Sequence, residues 1–394
     1  MKGIMIQGTS SDSGKSFIVT GLCRMLSNMG MNVCPFKSQN MSNNAYVTHG
    51  GLEISNAQAV QAQAARLNPE VFMNPILLKP IHNQSSEIIL NGRVFAHSTR
   101  HYREFTQNEG IRAVRESLRH IERHFDAVII EGAGSPAEVN LNDTEIVNMK
   151  VAREADVNVL LVADVDRGGS LACVAGTLDL LGQDRERVKG IIYNKFRGDI
   201  ELFKSAVEWT EDYTGIKVVG VIPFLEDVKI SAEDSLNIHS SIKSNAGINI
   251  GIIKFPYISN FNDFDSFIHE PDVNLIYIDD NTTIRRFHEL DAIILPETTN
   301  TSLALNWLKD SGLDTMIENF DGFIFNVCGG LHVTCNEWLN MIREKKGFGT
   351  HEAIDTRAVN EDSYDEIARV LAQNLDIDFI LRLIHHEDTM LQPE

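Results

Sequence analysis

Near the start of the chain lies the run Gly8-Thr9-Ser10-Ser11-Asp12-Ser13-Gly14-Lys15-Ser16, set between an apolar stretch and a helical pattern. Small residues at a strand-to-helix turn let main-chain N–H groups wrap phosphate oxygens. Lys15 would bring a point charge to the terminal phosphates, and the Ser16 hydroxyl suits a magnesium ion. Gly8, Thr9, Ser13, Gly14, Lys15 and Ser16 are therefore the candidate nucleotide-binding residues. Five residues separate the two glycines, one more than the strict pattern has. The competing reading, a chance Gly/Ser turn ahead of a helix, is disfavoured because strand, loop and helix occur together.

Three further clusters end apolar runs, where a parallel sheet opens its ligand crevice. Glu131 follows Val128–Ile130 and precedes Gly132-Ala133-Gly134, so it is a candidate magnesium ligand beside Ser16; the alternative is a solvated turn glutamate. Asp164 and Asp166 would organise metal or substrate and Arg167 an anion, or the three would pair with one another. Asn194-Lys195-Phe196-Arg197 ends another run, where an amide and a flat apolar surface would read adenine, so Asn194 and Lys195 join the candidate nucleotide-binding residues. Lys37, just after the second apolar run, would offset a carboxylate or an acyl phosphate. Ser38-Gln39-Asn40 and Asn43-Asn44 would read amide and carboxylate groups, or form a solvated loop.

Positioning these residues requires strands and helices in alternation. Candidate strands are Lys2–Gln7, Asn32–Phe36, Phe125–Ile130, Val157–Ala163, Val188–Tyr193 and Lys217–Ile222, mostly continuous in apolar residues as strands buried on both faces are. Lys15–Met29 carries Ile18, Leu22, Leu26 and Met29 on one helical face. This pattern implies a doubly wound α/β parallel sheet. Small polar residues at Asn237–Gly247 mark a boundary, giving domains 1–240 and 247–394. A second alternation follows at Ile248–Ile253, Asn274–Ile278, Ala292–Leu295 and Gly322–Val327, and Ser363–His385 reads as one or two amphipathic helices.

The net charge of −20 opposes nucleic acid or an anionic membrane as partner, and a single helix N-terminus with one lysine still suffices for a triphosphate. The start lacks the apolar core of a secretory signal and reads as a buried first strand; a cytoplasmic location is the default. Cysteines at 23, 34, 173, 328 and 335 are odd in number and irregular in spacing, which implies neither a disulfide framework nor a zinc site. Cys23, Cys34 and Cys173 read as small core residues.

Long stretches resemble the cobyric acid synthase family. They are GTSSDSGKS at 8–16, PFKSQNMSNNAYVT at 35–48, AQAVQAQAA at 57–65 and MNPILLKP at 73–80, followed by EGAGSPAEVNL at 131–141, ADVDRGG at 163–169, NKFRGD at 194–199 and SNFNDFD at 259–265. The longer glycine spacing is that of dethiobiotin synthetase-like proteins. The resemblance implies a P-loop synthetase domain using ATP and Mg²⁺ to activate peripheral carboxylates of adenosylcobyrinic acid a,c-diamide, with nitrogen from glutamine. A flavodoxin-like glutamine amidotransferase domain is expected behind it.

In that second domain, Asn326-Val327-Cys328-Gly329-Gly330 resembles a nucleophile elbow in which Cys328 attacks the glutamine amide; a buried structural cysteine is the alternative. Three departures stand out. Asn326 replaces the family's glycine. Pro296-Glu297-Thr298-Thr299-Asn300-Thr301 replaces a PGSKNT-like loop. Asn336-Glu337-Trp338, which resembles the family's distal stretch, begins only eight residues after Cys328. An internal loss of roughly a hundred residues is implied, given domain sizes of ~50–250 residues.

His332 is the remaining candidate base. At i+4 on a helix it stacks beside the cysteine rather than approaching from another loop. Glutamine use is therefore expected to be poor, with free ammonia as the substitute, and the second sheet is expected to expose an edge. A homo-oligomer is compatible with the sequence. The rival expectations are a dethiobiotin synthetase-like ligase on another carboxylate and a non-catalytic remnant.

Overall fold

Alternating burial on two faces organises the first sheet. In the computed structural model, residues 1–82, 85–97, 100–141, 144–225, 240–243, 246–279, 284–327, 335–347 and 356–387 are described. Six parallel strands run in the spatial order Lys217–Pro223, Val188–Phe196, Asn158–Asp164, Gly3–Gly8, Ala127–Glu131, Val33–Phe36. Successive side chains point to opposite faces. Ile4, Ile6, Ile129, Leu160 and Val162 join one core, and Met5, Val128, Ile130, Leu161 and Ala163 join the other. Because both faces are covered, the strands read as unbroken apolar runs.

The helix Lys15–Asn28 covers one face together with Thr356–Asn374 and Ile377–His385. These last two helices correct the expected second domain of 247–394, because they pack on the first sheet. Their apolar residues Ile367, Leu371, Phe379, Ile380 and Leu383 close the face that Ile4, Ile6, Ile18 and Leu22 open. Gly21 permits the approach: a Cβ there would lie 2.5 Å from Leu371 Cδ1. Buried Arg24 donates two 2.7 Å hydrogen bonds to Asp365, and this holds the Asp365 carboxyl down to about 2. Of the expected boundary at 237–247, residues 237–239, 244 and 245 fall outside the described residues.

A smaller sheet, unforeseen in the sequence, stands beside the first. Its order is Gln39–Met41, Ile76–His82, Ser85–Leu90, Arg93–Ala96, with the first pair parallel and the others antiparallel. Gln39-Asn40-Met41 has no apolar signature, so it reads as loop until its partner strand is known.

The second unit is a four-stranded parallel sheet ordered Val273–Ile278, Ile248–Ile253, Ala292–Leu295, Phe323–Asn326. Core residues lie on both faces. Among the described residues Phe323–Asn326 is an edge strand paired only to Ala292–Leu295, and Ile324 is 45% exposed. The helix Cys335–Lys346 is fixed beneath this sheet by wholly buried Arg343, which meets Glu270 at 2.9 Å and Asp272 at 2.7 Å. Trp338 stacks on Phe325 with ring centroids 4.3 Å apart.

Candidate active site

The phosphate loop is shaped by two residues of positive φ, Asp12 at 57° and Gly14 at 96°. Gly14 is required for a second reason: a Cβ there would lie 1.9 Å from Asn194 Nδ2. The Thr9 N–H donates to the Val162 carbonyl at 2.9 Å, which ties the loop to the neighbouring strand. Lys15 is buried and its ammonium donates to the Ser10 carbonyl at 3.1 Å, arching back over the loop. Ser13 Oγ is buried without a hydrogen-bond partner, a donor left for a ligand.

Asn194 and Lys195 sit beneath and beside this loop. Asn194 is buried and donates to the Ser13 carbonyl at 3.0 Å. Lys195 donates to the Asp12 carbonyl at 2.5 Å and to Asp164 Oδ2 at 2.9 Å. Through this bond Asn194 supports the loop from below. The sheet order brings the end of Val188–Phe196 against the strand beside Gly3–Gly8, so its last residues meet the loop itself. Asp164 spends Oδ1 on the Asp166 N–H at 2.8 Å, and Arg167 pairs with Asp12 at 3.2 Å. The Asp–Arg pairing alternative therefore describes this rim.

Glu131 is the hub of the site, 1% exposed at the end of its strand. Its Oε1 accepts from the Ser16 hydroxyl at 2.8 Å and from the Lys37 ammonium at 2.9 Å, and its Oε2 accepts from the Gln61 amide. The solvated-turn alternative is thereby excluded. Lys37, only 4% exposed, is paired with this carboxylate. Residues from two helices and one neighbouring strand end thus converge on the carboxyl group that ends Ala127–Glu131.

A cavity of about 580 Å³ opens above them, lined by Ser11, Gly14, Lys15, Ser16, Lys37, Asn40, Met41, Glu131, Gly134, Arg167 and Lys195 among others. It brings together the phosphate loop, the candidate metal ligands and the beginning of the polar run. That run is not a solvated loop. Ser38 donates to the Ile146 carbonyl at 2.7 Å, and Asn40 Nδ2 donates to Ser55 Oγ at 2.6 Å and to Gln58 Oε1 at 3.3 Å. Asn43 Oδ1, Asn44 Nδ2, Gln58 Nε2 and Gln61 Oε1 are buried without a hydrogen-bond partner. Sequence reasoning passed over Gln58 and Gln61, although glutamines three apart on an alanine-rich helix are the signal that marks them.

Ser16 and Glu131 fit a magnesium ion in donor chemistry, offering a hydroxyl and a carboxylate oxygen 2.8 Å apart. Among the described residues no group of three or more His, Cys, Asp or Glu could hold a metal. Phosphate and water oxygens would therefore complete the shell, as magnesium prefers.

Cys23 and Cys34 are core residues whose thiols burial pushes up, whereas Cys173 is exposed, against expectation. Its neighbours Val174, Thr177 and Leu178 take the buried face of helix Ser170–Leu180. Cys328 and His332 lie outside the described residues. The strand before them ends at Asn326, and the Val327 N–H donates to the Leu295 carbonyl at 3.0 Å.

Comparison with known proteins now bears on this site. Residues 4–238 match the CobQ/CobB/MinD/ParA nucleotide binding domain, and residues 249–361 match the CobB/CobQ-like glutamine amidotransferase domain. The cobyric acid synthase of Geobacillus sp. (strain WCH70) is 43% identical over 336 residues, covering 83% of this chain and 66% of that protein. Those of Clostridium botulinum (strain 657 / Type Ba4) and Gloeothece citriformis (strain PCC 7424) are 45% and 46% identical, each covering 84% of this chain and 67% and 68% of theirs. The chain belongs to the cobyric acid synthase family.

It spans about two thirds of the length of the curated relatives it matches. Cobyric acid synthases are ATP-dependent amide-forming ligases with a glutamine amidotransferase domain. The expected architecture, a nucleotide-binding α/β domain followed by an amidotransferase-like α/β unit, stands. Among solved structures, the signal recognition particle receptor FtsY from Elizabethkingia anophelis in complex with GDP aligns at 15% identity and a TM-score of 0.35, over 56% of each chain.

Proposed function

We propose that this chain uses ATP to activate a peripheral carboxylate of adenosylcobyrinic acid a,c-diamide and converts it to an amide. The observation that carries this reading is the convergence of Ser16, Lys37 and Gln61 on buried Glu131 in the cavity that also holds Lys15 and Asn40. The loop N–H groups and Lys15 hold the terminal phosphates. Ser16 and Glu131 would hold magnesium, which when bound supplies charge neutralisation on the phosphate oxygens. Lys37 carries the cationic charge nearest the polar run and meets the substrate carboxylate at the cavity wall. Asn40 and the amides behind it orient the acid and its neighbouring amide groups.

A carboxylate oxygen attacks the γ-phosphorus and ADP leaves. Ammonia then attacks the acyl carbon, and phosphate leaves as hydrogen phosphate, carrying the proton that the nitrogen gives up. The protein's part is chiefly alignment and charge placement.

In this reading nitrogen comes mainly from free ammonia. The short span between Asn326 and the helix beginning at Cys335 supports that view, because it leaves His332 as the only histidine near Cys328 in sequence. The acidic balance of −20 supports a cytoplasmic enzyme without nucleic-acid or membrane partners. Among the described residues no helix is long and apolar enough to cross a membrane. The relatives at 43–46% identity favour the corrinoid acid over the small acids of dethiobiotin synthetase-like ligases.

The test is amide formation on the corrinoid acid with Mg·ATP, run with glutamine and with ammonium. Turnover is expected with ammonium and little with glutamine. Equal rates would refute the ammonia preference, and no ATP-dependent amide with either source would refute the function.

A further inference from the structure

The residues of the substrate wall belong to a strand too short to hold itself. Gln39–Met41 is three residues long, and isolated strand pairs are marginal in water. It is paired to Ile76–His82, with Asn40 opposite Leu77 and Met41 opposite Leu78. The far end of that partner strand is gripped by the second unit. The Thr299 hydroxyl donates to the Pro80 carbonyl at 3.1 Å and the Asn300 amide donates to the Ile81 carbonyl at 3.2 Å.

A second contact lies on the other flank. Asn260, left-handed at φ 49°, accepts from the Ala45 N–H at 3.4 Å and donates to Glu297 at 3.3 Å. Around them the Ser259 N–H donates to the Glu297 carbonyl at 2.9 Å and the Thr298 hydroxyl to the Pro256 carbonyl at 3.0 Å, so both contacts rise from one platform.

We infer that Thr299, Asn300 and Asn260 are positioning residues through which the amidotransferase-like unit sets the geometry of the wall at residues 38–47. The loop 296–300 departs from its family pattern, and its Thr299 and Asn300 side chains bond to the first domain. The unit therefore contributes to carboxylate binding whether or not Cys328 acts on glutamine. This inference rests on the amidation reading for its kinetic arm only.

The test uses the full chain with Thr299→Val combined with Asn300→Asp. Asn300 Oδ1 caps the helix Thr301–Ser311 by accepting from the Leu303 N–H at 3.0 Å, and aspartate keeps that cap while losing the amide donor. Thr299→Ser is the conservative control. Hydrogen–deuterium exchange should show lost protection at 38–47 and none lost at 8–20. Mg·ATP affinity by calorimetry should be unchanged. With ammonium, KM for the corrinoid acid should rise about tenfold while kcat stays within about twofold. Thr299→Ser should match the parent chain.

Unchanged protection at 38–47 would overturn the inference, as would a parallel loss of ATP affinity and of protection at 8–20. If even the parent chain forms no amide, the exchange result still decides the brace, and only the function fails.

Discussion

The two sheets of this molecule are built by the same rule and finished differently. The six-stranded sheet is covered on both faces, and its strand ends deliver Glu131, Lys37 and the phosphate loop to one cavity. The four-stranded sheet has cores on both faces but stops at Phe323–Asn326, where Ile324 faces solvent among the described residues. A site assembled from the ends of adjacent strands survives as long as those strands do. A site that needs a base from a distant loop depends also on the length of the intervening chain. The first sheet accordingly gathers its candidate nucleotide-binding residues at one cavity, while the second meets the first domain through Thr299 and Asn300.

The largest contrast lies between the two chemical centres. Lys15→Ala should lower Mg·ATP affinity by about two orders of magnitude or more, in line with loss of a buried charge-assisted contact. It should abolish amide formation with either nitrogen source. Cys328→Ser should leave the ammonium-supported rate unchanged. Calorimetry and a product assay check both, and an ammonium rate that fell with Cys328→Ser would break the comparison.

Next comes packing. Leu371→Ala opens a cavity beneath the phosphate-binding helix and should cost about 2–5 kcal/mol of stability. Ile324→Ala, on the exposed edge, should stay within about 0.5 kcal/mol. Urea denaturation of the two variants measures the difference, and equal losses would mean the edge is covered.

The smallest effect is electrostatic and pH-dependent. Asp365 is held down to about 2 by its hydrogen bonds from Arg24. A depressed carboxyl stabilises the fold above its unfolded pKa of ~3.9, and that contribution is lost as pH falls through the folded value. The stability gap between the parent chain and Asp365→Asn should be full above about pH 4 and close toward about 2. Its size is limited because the Asp365 side chain is half exposed. A gap that widened in acid would contradict the pairing.

Much of the first site was legible because its residues obey local rules. A glycine at positive φ, a lysine opening a helix and a carboxylate ending an apolar strand are all visible one segment at a time. Strand limits were placed to within a few residues for the same reason. What was not legible depends on partners far away in sequence. Gln61 looked like filler on an alanine-rich helix until Glu131 stood beside it. The support that Asn194 gives to the Ser13 carbonyl appears only once the sheet order sets the two together. The strand Gln39–Met41 is polar and exists because Ile76–Leu78 pairs with it. The closing helices lie within 247–394 by chain order yet pack on the first sheet, because an amphipathic pattern says that a face is buried, not against what.

That last assignment has a consequence for biosynthesis. As the chain leaves the ribosome, the sheet carrying the phosphate loop emerges early but stays open along Ile4, Ile6, Ile18 and Leu22. The second unit must be translated before residues 356–387 arrive to seal that surface. A nascent chain halted anywhere between would display a greasy flank to chaperones and proteases. The helix that opens at the phosphate loop is thus packed on its outer side only once residues 356–387 have been made.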